Sequence, residues 1–441
     1  MNERIPKRIS TAILNSMTAG VVPRVGLEYI AVGRKQEIET LLRDLENVGD
    51  GAASFRFIVG RYGSGKSFLL QIIRNHAMDR GFIVADVDLS PERRLSGSAN
   101  QGLATYRELA QRLSTKVRPD GGALEAVLQK WITSIKAEII KGGVLPTDGS
   151  LDAMVETKII DAISAMEDFA HGFDFSLVLS SYYRAFTQGD DEKKQAAVRW
   201  LRGEFATKTE AKAALHVGEI INDDNWYEYL KLYASFFAQI GYRGLILFID
   251  ECVNLYKIPN RPSRERNYEK LLSLFNDTMQ GKAQNLGICM AGTPQFVEDE
   301  RRGLYSYAAL KSRLADNSYV KSGYVDFSSP VIRLQQLTDE ELFLLLERLT
   351  AIHAAHFGYT QYIASSQILT FMELAYSRLG AEQLLTPREL TRDYLALLNI
   401  LYQNPDASFD SLIHTQGYSV KGLSSDPDNT DQEDEYAGFE L

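Results

Sequence analysis

The sequence predicts an α/β fold: a parallel sheet wound with helices, carrying a long helical insertion and a helical C-terminal part. Three observations lead there. Five apolar runs with little polar alternation fall at residues 55–59, 82–87, 245–249, 286–291 and 331–334, the pattern of strands buried on both faces. Helical patterns lie between these runs. The first run, FRFIV, leads straight into GRYGSGKS at residues 60–67 and then into the helical pattern FLLQIIRNHAM.

Taken in chain order, residues 1–50 are expected to be a helical entry segment with a Gly/Pro break at GVVPRVG, residues 20–26. The core is expected over residues 51–335. GRYGSGKS fits the template of Gly, four residues, Gly-Lys-Ser, and its strand–loop–helix context turns a pattern match into a physical expectation. Gly60, Gly63 and Gly65, with Ser64 between the last two, let backbone N–H groups turn inward around phosphate oxygens. The helix that follows presents its positive dipole end to them. Lys66 is expected to reach the β- and γ-phosphates of ATP, and the Ser67 hydroxyl to help hold Mg²⁺.

The second and third runs lie far apart. Between them TYRELAQRL, VLQKWITSIKAEII and AVRWLRGEF predict a helical insertion at about residues 100–240, with breaks at 142–149 and 187–194. Beyond the fifth run, residues 339–348 and 363–377 have amphipathic helical patterns. TPRELTRDYLALLNILYQ begins a third helix with Pro387 in its first turn, so residues 336–405 form a helical unit. Residues 406–441 are expected to be an acidic, disordered tail. From Ser424 onward the chain carries seven acids and no Lys or Arg, which accounts for seven of the ten net negative charges. The body is therefore neither strongly basic nor strongly acidic, and global charge does not decide for or against DNA as a partner.

The 45% hydrophobic and 24% charged content is ordinary for a soluble protein. No apolar run approaches the length of a membrane span, and the start MNERIPKRIS lacks the apolar core of a secretory signal. Cys252 and Cys289 fall in or beside strand-like runs, as buried reduced thiols do. A cytoplasmic protein is expected.

The third run ends GLILFIDE. Asp250 at its carboxyl end would hold Mg²⁺ through water, and Glu251 would orient or polarise the attacking water. A strand that ends in acids at a turn is the plain alternative. The fourth run, in GICMAGTPQF, ends with Thr293 at the sheet edge where ligands of open α/β sheets collect, and a simple Gly-Thr-Pro turn competes with that reading. In RRGLYSYAALKSRL, Arg313 is the candidate arginine that would stabilise charge on a transferred phosphoryl group across a subunit interface. A solvated helix face suits Arg301 and Arg302 better. Arg388 in TPRELTRDY would reach back over the nucleotide, with Arg392 one turn on as the weaker choice. His353 and His356 are three residues apart, but no carboxylate or Cys completes a metal set. The stretches ERRLSGS and YKIPNRPSRERN read as basic loops, which supply either nucleic-acid contacts or solvated surface.

With these elements in place, the order of motifs resembles the AAA+ ATPases of the ASCE type, in particular their origin-recognition, initiator-like branch. GVVPRVGLEYIAVGR, RYGSGKSFLLQ, DLSPERRL, WLRGEF, DDNWYEYLKL, DECVNLYK, NYEKLLSLFND, GTPQF and RRGLYSYAALKSRL resemble, more closely, a bacterial P-loop family that includes the ATP-binding BrxD proteins of bacteriophage exclusion (BREX) defence systems. The resemblance implies strand order 5-1-4-3-2, a helical lid, and an Mg²⁺-dependent ATPase acting beside other proteins of its defence system as a nucleotide-bound homo-oligomer. It implies Walker A roles for Lys66 and Ser67 and Walker B roles for Asp250 and Glu251. It also implies a first sensor at Thr293, a finger at Arg313 and a second sensor at Arg388. Two rivals stand beside it. One is a nucleotide-gated switch with little turnover; the other is a DNA-dependent loader using Arg93, Arg94, Arg261, Arg264 and Arg266.

Overall fold

The computed structural model of the chain describes residues 5–143, 150–164, 166, 169–316, 326–360, 363–377 and 386–414. Most of the acidic tail, and residues 144–149 of the first break expected in the insertion, lie outside the described residues. The chain divides into two compact units. One comprises Met1–Gly33, Tyr62–Ser64 and Gln336–Leu441; the other comprises Arg34–Arg61 and Gly65–Gln335.

The second unit is built on five parallel strands: β1 (Ala53–Val59), β2 (Ile83–Asp88), β3 (Leu245–Asp250), β4 (Leu286–Gly292) and β5 (Val331–Arg333). They lie in the order β2-β3-β4-β1-β5, which reads 5-1-4-3-2 from the opposite edge. β4 is buried along its whole length, and β3 along all but its last residue. That explains why these runs carry almost no polar alternation. The helices Lys35–Gly49, Lys66–Asp79, Gln101–Gln111, Trp226–Gln239 and Arg261–Met279 pack on the sheet.

Among the described residues the insertion between β2 and β3 contains seven helices, from Gln101–Gln111 to Trp226–Gln239. Its last helix, WYEYLKLYASFFAQ, buries Trp226, Tyr227, Tyr229, Tyr233, Phe236 and Phe237, so it is apolar nearly all round and acts as a hub. It joins the insertion to the sheet in one hydrophobic core. The break at 187–194 is a short one. The helix Gly172–Gln188 ends on Gly189 in the left-handed region, and Asp190 caps the next helix by accepting from the Lys193 N–H. WLRGEF closes that next helix. The Leu201 carbonyl at its end accepts hydrogen bonds from Tyr106 at 2.6 Å and Tyr233 at 2.9 Å.

In the first unit the N-terminal helix Lys7–Thr18 packs against the helices Asp339–Phe357 and Pro387–Gln403. Both of these start with capping boxes, Thr338 with Glu341 and Thr386 with Glu389, and Pro387 occupies the first turn of the second. A cleft of about 350 Å³ is lined by Leu14, Asn15, His353, His356, Phe357 and Leu395. The two ring nitrogens of His353 meet the Tyr359 hydroxyl at 2.6 Å and the Asn399 side-chain oxygen at 3.1 Å, while His356 meets Ser10 at 2.8 Å. These histidines bind their neighbours in the helical packing. Among the described residues no helix is long and apolar enough to cross a membrane.

Candidate functional site

Four elements of the sheet bring the chemistry together at one edge. β1 ends at Val59, and the Gly60 N–H donates to the Gly292 carbonyl at 3.1 Å, fixing the start of the glycine loop beside the end of β4. Gly63 and Gly65 have φ of +74° and +92°, a region that L side chains avoid. A Cβ built on Gly65 meets nothing within 4 Å, so open space lies on that side of the loop. Gly63 is constrained differently, since a Cβ there would come within 2.5 Å of the Thr386 side chain. Ser64 is buried.

The helix Lys66–Asp79 starts immediately after the loop, with Gly65 at its N-cap position and no side-chain cap on its first amides. Such amides, with the dipole behind them, suit an anion. Lys66 folds over the loop, where its ammonium donates to the Gly60 carbonyl at 2.9 Å and the Arg61 carbonyl at 3.0 Å. Ser67 points the other way and donates to Asp250 Oδ2 at 2.6 Å. The contact joins the two halves of the site that the sequence places 183 residues apart.

Asp250 ends β3, and its second oxygen, Oδ1, accepts from the Glu251 N–H at 2.8 Å. Glu251 then adopts φ +54°, and the chain turns into the short helix Val253–Tyr256. Burial, then the adjacent Asp250, raises the Glu251 carboxyl above its usual value, while Lys66 pulls it down. Asp88 is the residue that the sequence reading passes over. The second run was expected to stop at residue 87, but β2 continues through Asp88, whose register partner is Asp250. Desolvation, then the charge of Asp250, raises the Asp88 carboxyl. The signal was present in the sequence, as an acid directly after an apolar run and matching the end of GLILFID.

Thr293 follows β4 and is buried, beside the start of the glycine loop. Its hydroxyl also caps the helix Pro294–Glu298, accepting from the Phe296 N–H at 3.4 Å. The Gly-Thr-Pro turn is thus present, and it leaves Thr293 at the end of β4. Arg313 lies in the last turn of the helix Ala308–Leu314, where it donates to the Asn276 side chain at 3.0 Å and the Ala309 carbonyl at 2.7 Å. Arg388 belongs to the first unit, and its guanidinium sits over the ring of Tyr62 of the same unit at 5.8 Å. Arg392 pairs with Asp393 at 3.6 Å.

Three expectations need correction. YKIPNRPSRERN is not a basic loop: from Arg261 it is helix, capped by Asn260, which accepts from the Ser263 N–H. Pro262 sits in the first turn of that helix, where its fixed φ suits a helix start. Arg264 is buried at 6% exposure and donates to the Ile258 carbonyl, so it is a packing residue and not a phosphate contact. Arg302 is not on a solvated helix face; it packs its guanidinium 5.3 Å from the centre of the Tyr256 ring. In ERRLSGS, Arg93 donates to the Asp88 carbonyl, and the stretch is tied down from both sides. Asp223 accepts from the N–H groups of Gly97, Gly102 and Leu103, and Asn267 from those of Leu95 and Ser96. The thiols of Cys252 and Cys289 are free and buried, with burial pushing Cys289 up to about 12.

A glycine loop entering a helix, a lysine folded over it, and a serine bonded to a strand-end aspartate form an arrangement suited to a nucleoside triphosphate with a divalent cation. The donors fit magnesium, which prefers hard oxygen ligands. No curated protein matches the chain. The family model for BREX system ATP-binding proteins BrxC/D matches residues 5–417, nearly the whole chain, and the protein belongs to that family.

Proposed function

We propose that the protein hydrolyses ATP with magnesium and uses the cycle to remodel or regulate partner proteins of its defence system. One observation carries the reading: Ser67 donates to Asp250 at 2.6 Å, so the helix that follows the glycine loop meets the end of β3. Lys66 would exchange its loop carbonyls for the β- and γ-phosphate oxygens, and the loop amides would hold the phosphate chain. Ser67 and Asp250 would hold magnesium, which supplies charge neutralisation at the phosphates when bound.

Glu251 would align a water for in-line attack on the γ-phosphorus and take up its proton. The bond to the bridging oxygen breaks, and ADP and phosphate leave. A carboxyl raised by burial and by Asp250 is a better proton acceptor than an ordinary glutamate. Thr293 would hydrogen-bond the γ-phosphate or the attacking water. Arg313 would act on a neighbouring subunit's nucleotide in a homo-oligomer, and Arg388 would contact the nucleotide as a second sensor.

Turnover and binding measured side by side test the reading. Glu251→Gln is expected to bind ATP as the parent does and to hydrolyse it at least about 100-fold more slowly. Lys66→Ala is expected to lose both. Parent turnover no faster than that of Glu251→Gln, with magnesium and partners saturating, would make the protein a nucleotide-gated switch instead.

A further inference from the structure

We propose that Asn254 is a positioning residue for Glu251: its side-chain amide ties the exit of β2 to the turn that carries Glu251, and so sets the direction of the Glu251 carboxylate. The inference rests on the role given to Glu251 above.

Glu251 has φ +54°, in the left-handed region that long side chains rarely occupy. Such a conformation is unfavourable and persists only where the surroundings over-determine it. At Glu251 the constraints can be named. Its N–H is taken by Asp250 Oδ1 at 2.8 Å. Its carbonyl accepts from the Asn254 backbone N–H at 3.0 Å and from Asn254 Nδ2 at 3.2 Å. The same Nδ2 donates at 2.8 Å to the carbonyl of Leu89, the residue that follows Asp88 out of β2. On the far side the Cys252 N–H donates to the Ala291 carbonyl of β4 at 3.0 Å.

The turn is thus held from two strands. The hold from β4 and the tie from Leu89 N–H to the Asp250 carbonyl are backbone contacts that any sequence would make. The connection from the β2 exit to Glu251 itself is a side chain, and so open to substitution. Both acceptors around Nδ2 are carbonyl oxygens, which fixes the amide orientation and demands a group with two N–H donors. An aspartate of the same shape would set lone pairs against both carbonyls. Without the amide the turn is free to relax toward the ordinary right-handed region. That would swing the carboxylate away from the site beside Ser67 and Asp250 while leaving the phosphate loop untouched.

The test is a double-mutant cycle read as binding and as single-turnover hydrolysis of magnesium ATP. Asn254→Ala is expected to lower the hydrolysis rate roughly tenfold to a hundredfold, the scale of a misplaced catalytic group. Its ATP affinity should stay within about twofold of the parent, as for a site with no shared contacts. Asn254→Asp should be at least as slow, and it reads the same property if the alanine variant fails to fold; Asn254→Gln should recover part of the loss. On a Glu251→Gln background, Asn254→Ala should add nothing. Normal hydrolysis by Asn254→Ala and Asn254→Asp, full additivity with Glu251→Gln, or a loss of ATP binding equal to the loss of rate would each overturn the inference. If Glu251→Gln slows turnover while Asn254→Ala does not, only the positioning role falls. If Glu251→Gln hydrolyses like the parent, the reading of Glu251 falls with it.

Discussion

At the level of single residues, Glu251 bears two penalties at once: a left-handed backbone and a carboxylate crowded by burial and by Asp250. Both are costs to folding, of the kind that cluster at functional sites. The second has a measurable consequence. Because the folded chain holds the Glu251 proton above the ordinary value of 4.5, it binds more protons than the unfolded chain in the window just above that value. Stability therefore falls as pH rises through the window, and the penalty is fully present at neutral pH. Glu251→Gln removes the ionising group, so it is expected to raise the melting temperature at pH 7.5 by roughly 1–3 °C. The gain should vanish below about pH 4, where both states hold the proton. A melting temperature unchanged across that range would show that the carboxylate is not under electrostatic stress.

Among the elements, the segment between β2 and the helix Gln101–Gln111 shows how blocks distant in sequence serve one structure. DLSPERRL, DDNWYEYLKL and NYEKLLSLFND each contribute. Asp223 takes three amides, Asn267 takes two, and Trp226 donates its indole N–H to the Leu95 carbonyl at 3.2 Å. Asp223→Ala leaves three half-buried amides without their acceptor, and hydrogen bonds to a charged group contribute about 1.5–3 kcal/mol each. With partial compensation by water the expected loss is about 3 kcal/mol, seen as a lower urea midpoint with unchanged slope. Asp223→Asn, which keeps one acceptor oxygen, should lose less. Equal stability of Asp223→Ala and the parent would mean that the segment is held by packing alone. This clamp was not visible in the sequence as a clamp. Its residues are an acid in a turn, an asparagine in a helix and a tryptophan in an apolar pattern, and nothing in their spacing shows that they meet.

For the molecule as a whole, the legible parts were those with a local cause. Strands buried on both faces leave unbroken apolar runs, and the glycine loop is confined to eight consecutive residues, so both could be read directly. Asp250 and Glu251 were readable because they end such a run. Asp88 carries the same signal, an acid after an apolar run, but ending that run at residue 87 leaves it outside the strand. The Pro262 stretch misled for a related reason: proline favours a loop and a helix start alike, and only the Asn260 cap distinguishes them. The partner of the N-terminal helix, which packs on helices more than 300 residues away, has no local signature at all. The central claim is that the phosphate loop and the β3 acids form one site for ATP with magnesium. Calorimetric titration of ATP, with and without magnesium, into the parent and Asp250→Asn tests it most directly. The account predicts that magnesium tightens ATP binding to the parent by roughly tenfold or more, about 1.4 kcal/mol, and that Asp250→Asn loses most of this gain while binding metal-free ATP as before. A magnesium effect that survives intact in Asp250→Asn would contradict it.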